Sequence, residues 1–230
     1  MPQSLNLKQL IVFLVIGVLS LALWHTPFLY PIKIFVVFVH EIGHALATIL
    51  TGGQVVSMVV TPWQSGYVKH VGGNPVLIAA AGYVGSALFG GVLLLLSSRD
   101  RWAPAIFLGL SFIFGLATVF FASGVFTKGF GFVSTITFLI LSRTRFPGVH
   151  YIVDILAVTS SLYAVYDLTD FLFIGARTDA VILAEVTPIP AFVWACLWSL
   201  LAIAIVWGAG KSALKRAQPA EPPWTEKRII

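Results

Sequence analysis

Long apolar stretches separated by short polar turns constrain this chain more than any other feature. Hydrophobic residues make up 58% of the sequence and charged residues only 10%, and the mean hydropathy is +0.95. A helix of about 20 apolar residues is long enough to cross a bilayer, and it satisfies its backbone polar groups internally. The chain is therefore predicted to be an all-α polytopic membrane protein and not a soluble globule.

About seven transmembrane helices (six to seven) fit this pattern. The expected spans cover residues 7–24, 31–51, 75–96, 103–121, 125–141, 149–174 and 190–207. The fifth is the weakest, because Lys128 lies in its first turn. The spans form a single domain over residues 1–210. A polar, basic and proline-rich tail at 211–230 follows and is expected to be disordered.

The segment between the second and third spans differs from its surroundings. Short runs rich in β-branched residues at 54–61 and 67–71 flank the sequence Pro-Trp-Gln-Ser-Gly at 62–66. This pattern predicts a short β-hairpin with its turn at 62–66. Because it directly follows the second span, the hairpin is expected at the membrane surface. A solvated loop is the plainer interpretation, whereas an exposed strand edge could hold an extended peptide by strand addition.

The basic residues indicate how the chain is oriented. The net charge is +5, and the basic residues lie mainly between or after spans, where they meet lipid headgroups, so nucleic acid is a poor partner. If turns alternate sides, one side holds Arg99, Arg101, Arg143, Arg145 and the tail. The positive-inside rule then predicts a multi-pass protein of the cell membrane with a cytoplasmic C-terminus and with the N-terminus and hairpin outside.

One span carries a chemical signature within its apolar sequence. His40 and His44 are four residues apart, so their imidazoles share a helix face, and Glu41 lies beside the first. This His-Glu-x-x-His pattern is typical of zinc hydrolases, in which the histidines bind the metal and the glutamate acts as general base. Glu41 is also the only acidic residue before Asp100, and an ionisable residue in a membrane span is by default a functional candidate. The pattern predicts Zn²⁺ as cofactor and Glu41 as catalytic residue.

A catalytic zinc ion needs a third protein ligand from elsewhere in the chain. With a rise of about 1.5 Å per residue, His44 lies roughly 20 Å from the start of its helix and Asp167 roughly 24 Å from the start of the sixth. This similar depth makes Asp167 the predicted third ligand. Asp170 is the alternative, either as a ligand or as the partner of a ligating histidine. Asp179, which would fold back from a polar loop, is a third candidate.

Four short motifs carry a family resemblance: His-Glu-Ile-Gly-His at 40–44, Gly-Tyr-Val-Gly-Ser at 82–86, Tyr-Asp-Leu-Thr-Asp at 166–170 and Thr-Asp-Ala at 178–180. Together they resemble the site-2-protease class of intramembrane zinc metalloproteases, and more narrowly its small protease-like branch. The resemblance covers about residues 31–207 and implies His40 and His44 as ligands, Glu41 as catalytic base and an aspartate of the later helix as third ligand. The Leu-Asp-Gly motif of better-known members is absent, and Asp167 takes its place by inference. In familiar members the hairpin faces the cytoplasm, opposite to the charge count.

These features predict an intramembrane zinc endopeptidase that cleaves a peptide bond in or near a transmembrane segment of a membrane-protein substrate. A second hypothesis is a non-catalytic zinc-containing membrane protein that binds or sorts client membrane proteins. The intact Glu41 argues against it, because a structural site needs no general base. A third hypothesis, a diiron oxidase or desaturase, requires many more histidines than the five present. The sequence does not define the substrate, the pathway or the oligomeric state.

Overall fold

A computed structural model describes residues 7–97, 100–144, 148–163, 165–166 and 178–216. These residues form α-helices and one two-stranded antiparallel sheet. In chain order the elements are α1 (Leu7–Leu23), α2 (Tyr30–Leu50), β1 (Gln54–Val60), β2 (Gly66–Val71), α3 (Pro75–Ser97), α4 (Ala103–Phe120), α5 (Val125–Leu141), α6 (Val149–Ser161), α7 (Asp179–Val186) and α8 (Ala191–Arg216).

The helical character and the hairpin predicted from the sequence are confirmed. Within the described residues, four helical segments are long and apolar enough to cross a membrane: Pro27–Leu50, Pro75–Ser97, Ala103–Phe120 and Ala191–Leu214. The apolar helices at Gln9–Leu23, Val125–Leu141 and Val149–Ser161 are shorter. The described part of the chain thus meets the length criterion for four spans, against the six to seven predicted. Most of the predicted continuation of the sixth span to residue 174 lies outside the described residues.

Helix α3 is the central element, and it packs antiparallel to both α2 and α6. Its first turns lie beside the end of α2, where a Cβ on Gly43 would come within 2.5 Å of the Ala81 carbonyl oxygen. It also lies against α6: the Tyr83 and Tyr163 rings are 5.9 Å apart, and further along α3 a Cβ on Gly90 would come within 2.5 Å of the earlier Ala157 carbonyl oxygen. Small residues at these positions let the helix backbones approach closely, which is a common packing device in membranes.

Two apolar clusters surround α3. The larger joins α2, α4 and α5, and within it the Phe114 ring stacks on both Phe35 and Phe38, with centroids 5.2 and 4.7 Å apart. The smaller joins α3, α7 and α8 around Leu183 and Trp198. The prediction of a polar loop over α7 was wrong, because an apolar helix face there packs into the smaller cluster.

Helix α1 runs in the same direction as α6. Gln9 Nε2 donates to Asp154 Oδ2 at 3.4 Å near its start, and the Trp24 ring beyond its end stacks on Tyr166 with centroids 3.7 Å apart. Since α3 is antiparallel to α2 and α6, helices α1, α2 and α6 all run the same way. The start of α1 therefore lies at the same end of the molecule as the start of α2. This arrangement differs from the alternation of turns assumed in the charge count.

The hairpin runs back along α2 instead of extending beyond its end. Strands β1 and β2 pair from Gln54 with Val71 to Val60 with Gly66, with one irregularity between Val55 and Ser57. At the turn, the Tyr30 hydroxyl donates to the Pro62 carbonyl oxygen at 2.9 Å, although Tyr30 is the first residue of α2. The hairpin therefore lies at the depth of α2 itself, and not only at the surface as the sequence suggested.

The last helix is longer than its apolar stretch. Helix α8 continues past Lys211 to Arg216, into the segment assigned from the sequence to the tail. The remainder of that segment, 217–230, lies outside the described residues.

The close α2–α3 contact generates a stability prediction. Gly43→Ala places a methyl group against the Ala81 carbonyl. We expect this overpacking to reduce the free energy of unfolding by about 1–3 kcal/mol and therefore to lower the Tm. Gly109→Ala in α4 is the control, because nothing lies within 4 Å of its Cβ position. Thermal unfolding of the purified proteins in detergent measures both. Equal or higher stability of Gly43→Ala would contradict this packing.

Candidate metal centre

The predicted histidines and glutamate meet in the buried part of α2. His40, Glu41 and His44 each offer one ligand atom, and these atoms lie within 4.8 Å of one another. All three side chains are buried, and most of the other buried residues of this helix are apolar. The helical spacing expected from the sequence thus places the imidazoles together as predicted.

Asp179 joins these histidines from the first turn of α7. Its Oδ2 atom lies 2.9 Å from His40 Nε2 and 3.1 Å from His44 Nε2, and the two nitrogens are 3.0 Å apart. Helix α7 is held there because Leu183 is fully buried in the cluster with α3 and α8. Three potential ligand atoms from two distant parts of the chain therefore converge on one point.

The tautomer of His44 indicates what belongs at that point. His44 Nδ1 lies 2.7 Å from the Ile78 carbonyl oxygen, which can only accept, so Nδ1 donates. In the neutral ring Nε2 is then an acceptor, and it faces the carboxylate of Asp179, which is another acceptor. Such a pair repels unless a proton or a metal ion lies between its members. The observed separations are close to the roughly 3.3 Å expected between tetrahedral ligands about 2.0 Å from zinc, so the donor set fits this metal.

The charge of Asp179 suits this role. Burial disfavours its ionised form, but His44 and His40 outweigh that effect and hold the pKa of its carboxyl below the usual range. The carboxylate is thus an anionic ligand next to two imidazoles, as in zinc sites with two histidines and one carboxylate.

The predicted third ligand Asp167 and its alternative Asp170 lie outside the described residues. Their assignment therefore stays a prediction, whereas Asp179 is placed beside both histidines. A local signal for this placement was available in the sequence. Thr178 and Asp179 precede the apolar run Ala-Val-Ile-Leu-Ala, and a Thr-Asp pair before such a run is a helix start signal.

The surroundings fix the rings of the site. Tyr83 and Tyr163 contact the His40 ring edge-to-face, with centroids 4.7 and 5.2 Å away. The backbone of Gly82 passes directly over the imidazoles, since a Cβ there would collide with both His40 and His44. The Gly-Tyr-Val-Gly-Ser segment singled out in the sequence thus forms one wall of the site.

Glu41 is held close to the hairpin. It is only 3% exposed, and its Oε2 atom has no hydrogen-bond partner in the part of the chain that the structure describes. A Cβ on Gly66, the first residue of β2, would lie 2.5 Å from Glu41 Oε1. The carboxylate therefore lies between the paired histidines and the edge of the sheet.

A cavity of about 690 Å³ connects this centre to the hairpin. It is bounded by α2, by β2 and its turn, and by the residues around α7. Its lining includes the side chains of the metal centre, the tip residues Trp63, Gln64 and Ser65, the β2 residues Gly66 and Val68, and Trp24, Lys33, Tyr163 and Ile182. The space thus extends from the tip of the hairpin to Glu41.

These features define the class: a helical membrane protein with a buried metallohydrolase-type centre. The chain belongs to the Peptidase M50B-like family, whose family model matches residues 13–209. This match confirms the resemblance to site-2-protease-like proteins and makes the chain a member of a family of membrane metallopeptidases. No curated protein and no solved structure matches the chain.

The contact between Gly66 and Glu41 yields a prediction that separates the base from the metal. Gly66→Ala should displace the Glu41 carboxylate and reduce peptide cleavage roughly 10- to 100-fold, because small misplacements of catalytic groups are costly. The three atoms nearest to this methyl group all belong to Glu41, so bound metal should be unchanged. Gly129→Ala, with nothing within 4 Å of its Cβ position, is the control. Full activity of Gly66→Ala would rule out this placement of Glu41.

Proposed function

We propose that this protein is an intramembrane zinc endopeptidase that cleaves a peptide bond in or near a transmembrane segment of a membrane-protein substrate. The observation that carries this proposal is the position of Glu41. Its carboxylate lies beside three converging ligand atoms, on a helix long enough to cross a membrane. Membership of a membrane metallopeptidase family supports the same chemistry.

His40, His44 and Asp179 would hold the zinc ion. Asp179 replaces the predicted Asp167 and its alternative Asp170 in this proposal, because its carboxylate oxygen lies about as close to each histidine as the histidines lie to each other. A zinc ion bound here lowers the pKa of a water ligand towards about 7 and polarises a carbonyl oxygen.

Glu41 moves the proton in this reaction. It accepts a proton from the attacking water as the water oxygen bonds to the peptide carbonyl carbon. It then returns this proton to the amide nitrogen as the carbon–nitrogen bond breaks, so one carboxyl group serves as base and acid. Its surroundings support this role, because no donor among the described residues occupies Glu41 Oε2, so this atom can accept the proton.

The outer edge of β2 is unpaired among the described residues, and this edge supports an extended substrate. The backbone groups of Met58 and Val60 bond away from β2, so the residues opposite them, Val68 and Gly66, direct their own backbone groups away from β1. Both line the cavity, and Gly66 abuts Glu41. A substrate strand paired with this edge would bring its backbone to the base. A helical substrate must first unwind, because its carbonyls are otherwise hydrogen-bonded.

The protein is oriented with its C-terminus in the cytoplasm of the cell membrane. Helix α8 runs parallel to α3, since the Tyr83 and Trp198 rings lie 4.8 Å apart and, further along both helices, a Cβ on Gly91 would lie 2.7 Å from Ile205 Cγ2. The residues Arg101, Arg143 and Lys211 follow or end helices at this end of the bundle. The positive-inside rule assigns this end to the cytoplasm and leaves the base of the hairpin outside.

Glu41→Gln tests the reaction. The variant should bind zinc as the wild type does and lose about 100- to 10,000-fold in cleavage rate, the usual contribution of a general base. The two proteins are purified in detergent, assayed for bound zinc and incubated with candidate membrane-protein substrates. Equal cleavage by both would remove Glu41 from the mechanism. Zinc binding without cleavage by the wild type would favour the alternative, a non-catalytic protein that binds or sorts client membrane proteins.

Alanine variants of the three aspartates test the third ligand. Asp179→Ala should weaken zinc binding by more than the roughly 10- to 100-fold typical of losing an outer-sphere partner. Asp167→Ala and Asp170→Ala are matched controls and should retain zinc. Competition with a chelator measures the affinity of each. Zinc loss in Asp167→Ala with retention in Asp179→Ala would return the ligand to the sequence-based choice.

A further inference from the structure

The outer edge of β1 is occupied by the connection between α4 and α5. Met58 N–H donates to the Phe121 carbonyl at 2.7 Å, and Ser123 N–H donates to the Met58 carbonyl at 2.8 Å. Met58 is fully buried at this contact, which forms a short parallel bridge with Ala122. The hairpin is thus hydrogen-bonded to a second part of the chain along its first strand.

Thr127 extends this contact with a side chain instead of a backbone. Its Oγ1 atom accepts from Val60 N–H at 2.9 Å and donates to the Val60 carbonyl at 3.0 Å. Thr127 and Val60 are each 1% exposed, so neither bond competes with water. One hydroxyl in the first turn of α5 therefore satisfies the two backbone groups that a further strand would satisfy.

The position of this bond links it to the catalytic base. Val60 is paired with Gly66 in the register of the sheet, and Gly66 is the residue that lies against Glu41. The two hydrogen bonds from Thr127 to Val60 therefore also fix the position of β2 where it passes Glu41. A strand edge inside a membrane tolerates unpaired backbone groups only where they face protein or water. By satisfying Val60, the Thr127 hydroxyl therefore leaves the edge of β2, and not that of β1, available to a substrate.

We propose that Thr127 is a positioning residue that acts as a surrogate strand for β1 and thereby holds the substrate-binding edge of β2 in line with Glu41. The proposal rests on the proposed function of the centre, since it assigns Thr127 a part in binding the substrate backbone. It also assigns the α4–α5 pair a purpose, because α5 supplies the hydroxyl and the preceding connection supplies the strand partner.

The substitution Thr127→Val removes the hydroxyl at constant shape, and Thr127→Ser retains it. In Thr127→Val we expect the KM to rise about tenfold, as expected for the loss of buried hydrogen bonds that align a binding edge, with bound zinc unchanged. Thr127→Ser should remain within about twofold of the wild type. Thr135→Val is the control on the same helix, because among the described residues its hydroxyl bonds only to the Gly131 carbonyl in α5, at 2.7 Å.

Hydrogen exchange of the Val60 amide in the full-length protein measures the strength of its hydrogen bond to Thr127 independently of activity. Its exchange should be about tenfold faster in Thr127→Val and unchanged in Thr127→Ser and Thr135→Val. Simple destabilisation would instead lower the active fraction and leave the KM unchanged. If Thr127→Val does not fold, Thr127→Ala removes the same hydroxyl and replaces it in both assays.

Three results would overturn the proposal: wild-type exchange at Val60 in Thr127→Val, a wild-type KM in that variant, or a serine variant as impaired as the valine variant. The two assays also distinguish failure of this proposal from failure of the proposed function. If the wild type cleaves no substrate, the proposed function is contradicted. The exchange rate of the Val60 amide still shows whether Thr127 holds β1 in place.

Discussion

The close approach of α2 and α3 is the contact on which the rest of the structure depends. Gly43 and Gly82 remove the side chains that would separate the two backbones. The carbonyl oxygen of Ile78 can therefore reach His44 and fix its tautomer, while Gly82 covers the imidazoles. A metal centre within an apolar bundle needs such tight walls, because buried polar groups are costly unless each has a partner. Helix α7 packs against the same helix α3 through the cluster around Leu183, and its first residue contacts both histidines of α2.

The hairpin solves a related problem for the backbone. A two-stranded sheet at the depth of a membrane helix has two edges, and unpaired backbone groups are not tolerated in lipid. One edge is satisfied from within by residues 121–123 and Thr127, and the other faces the cavity beside Glu41. The backbone of β1 is thus hydrogen-bonded within the protein, whereas the edge of β2 gives access to the metal centre. The register of the sheet places Gly66 opposite Val60 on one side and against Glu41 on the other.

Much of the fold followed from the sequence because local patterns govern it. The bounds of α5 were predicted correctly despite Lys128, and the hairpin was predicted from β-branched runs around a Pro–Gly turn. Predictions that required relative placement were less successful. The hairpin lies along α2, α1 runs parallel to it, and Asp179 starts a helix instead of lying in a loop. Each depends on contacts between distant residues, for example Tyr30 with Pro62, that no local pattern encodes.

By itself the sequence determined the membrane class, the positions of most helices, and the pairing of His40 and His44 with Glu41, because helix periodicity and apolar length are properties of contiguous residues. Only the tertiary structure decided which acid meets those histidines. Depth along a helix pointed to Asp167, but depth is one coordinate, and ligation needs three. Packing of Leu183 against α3 supplies the other two by holding the first turn of α7, and with it the carboxylate of Asp179, over the imidazoles.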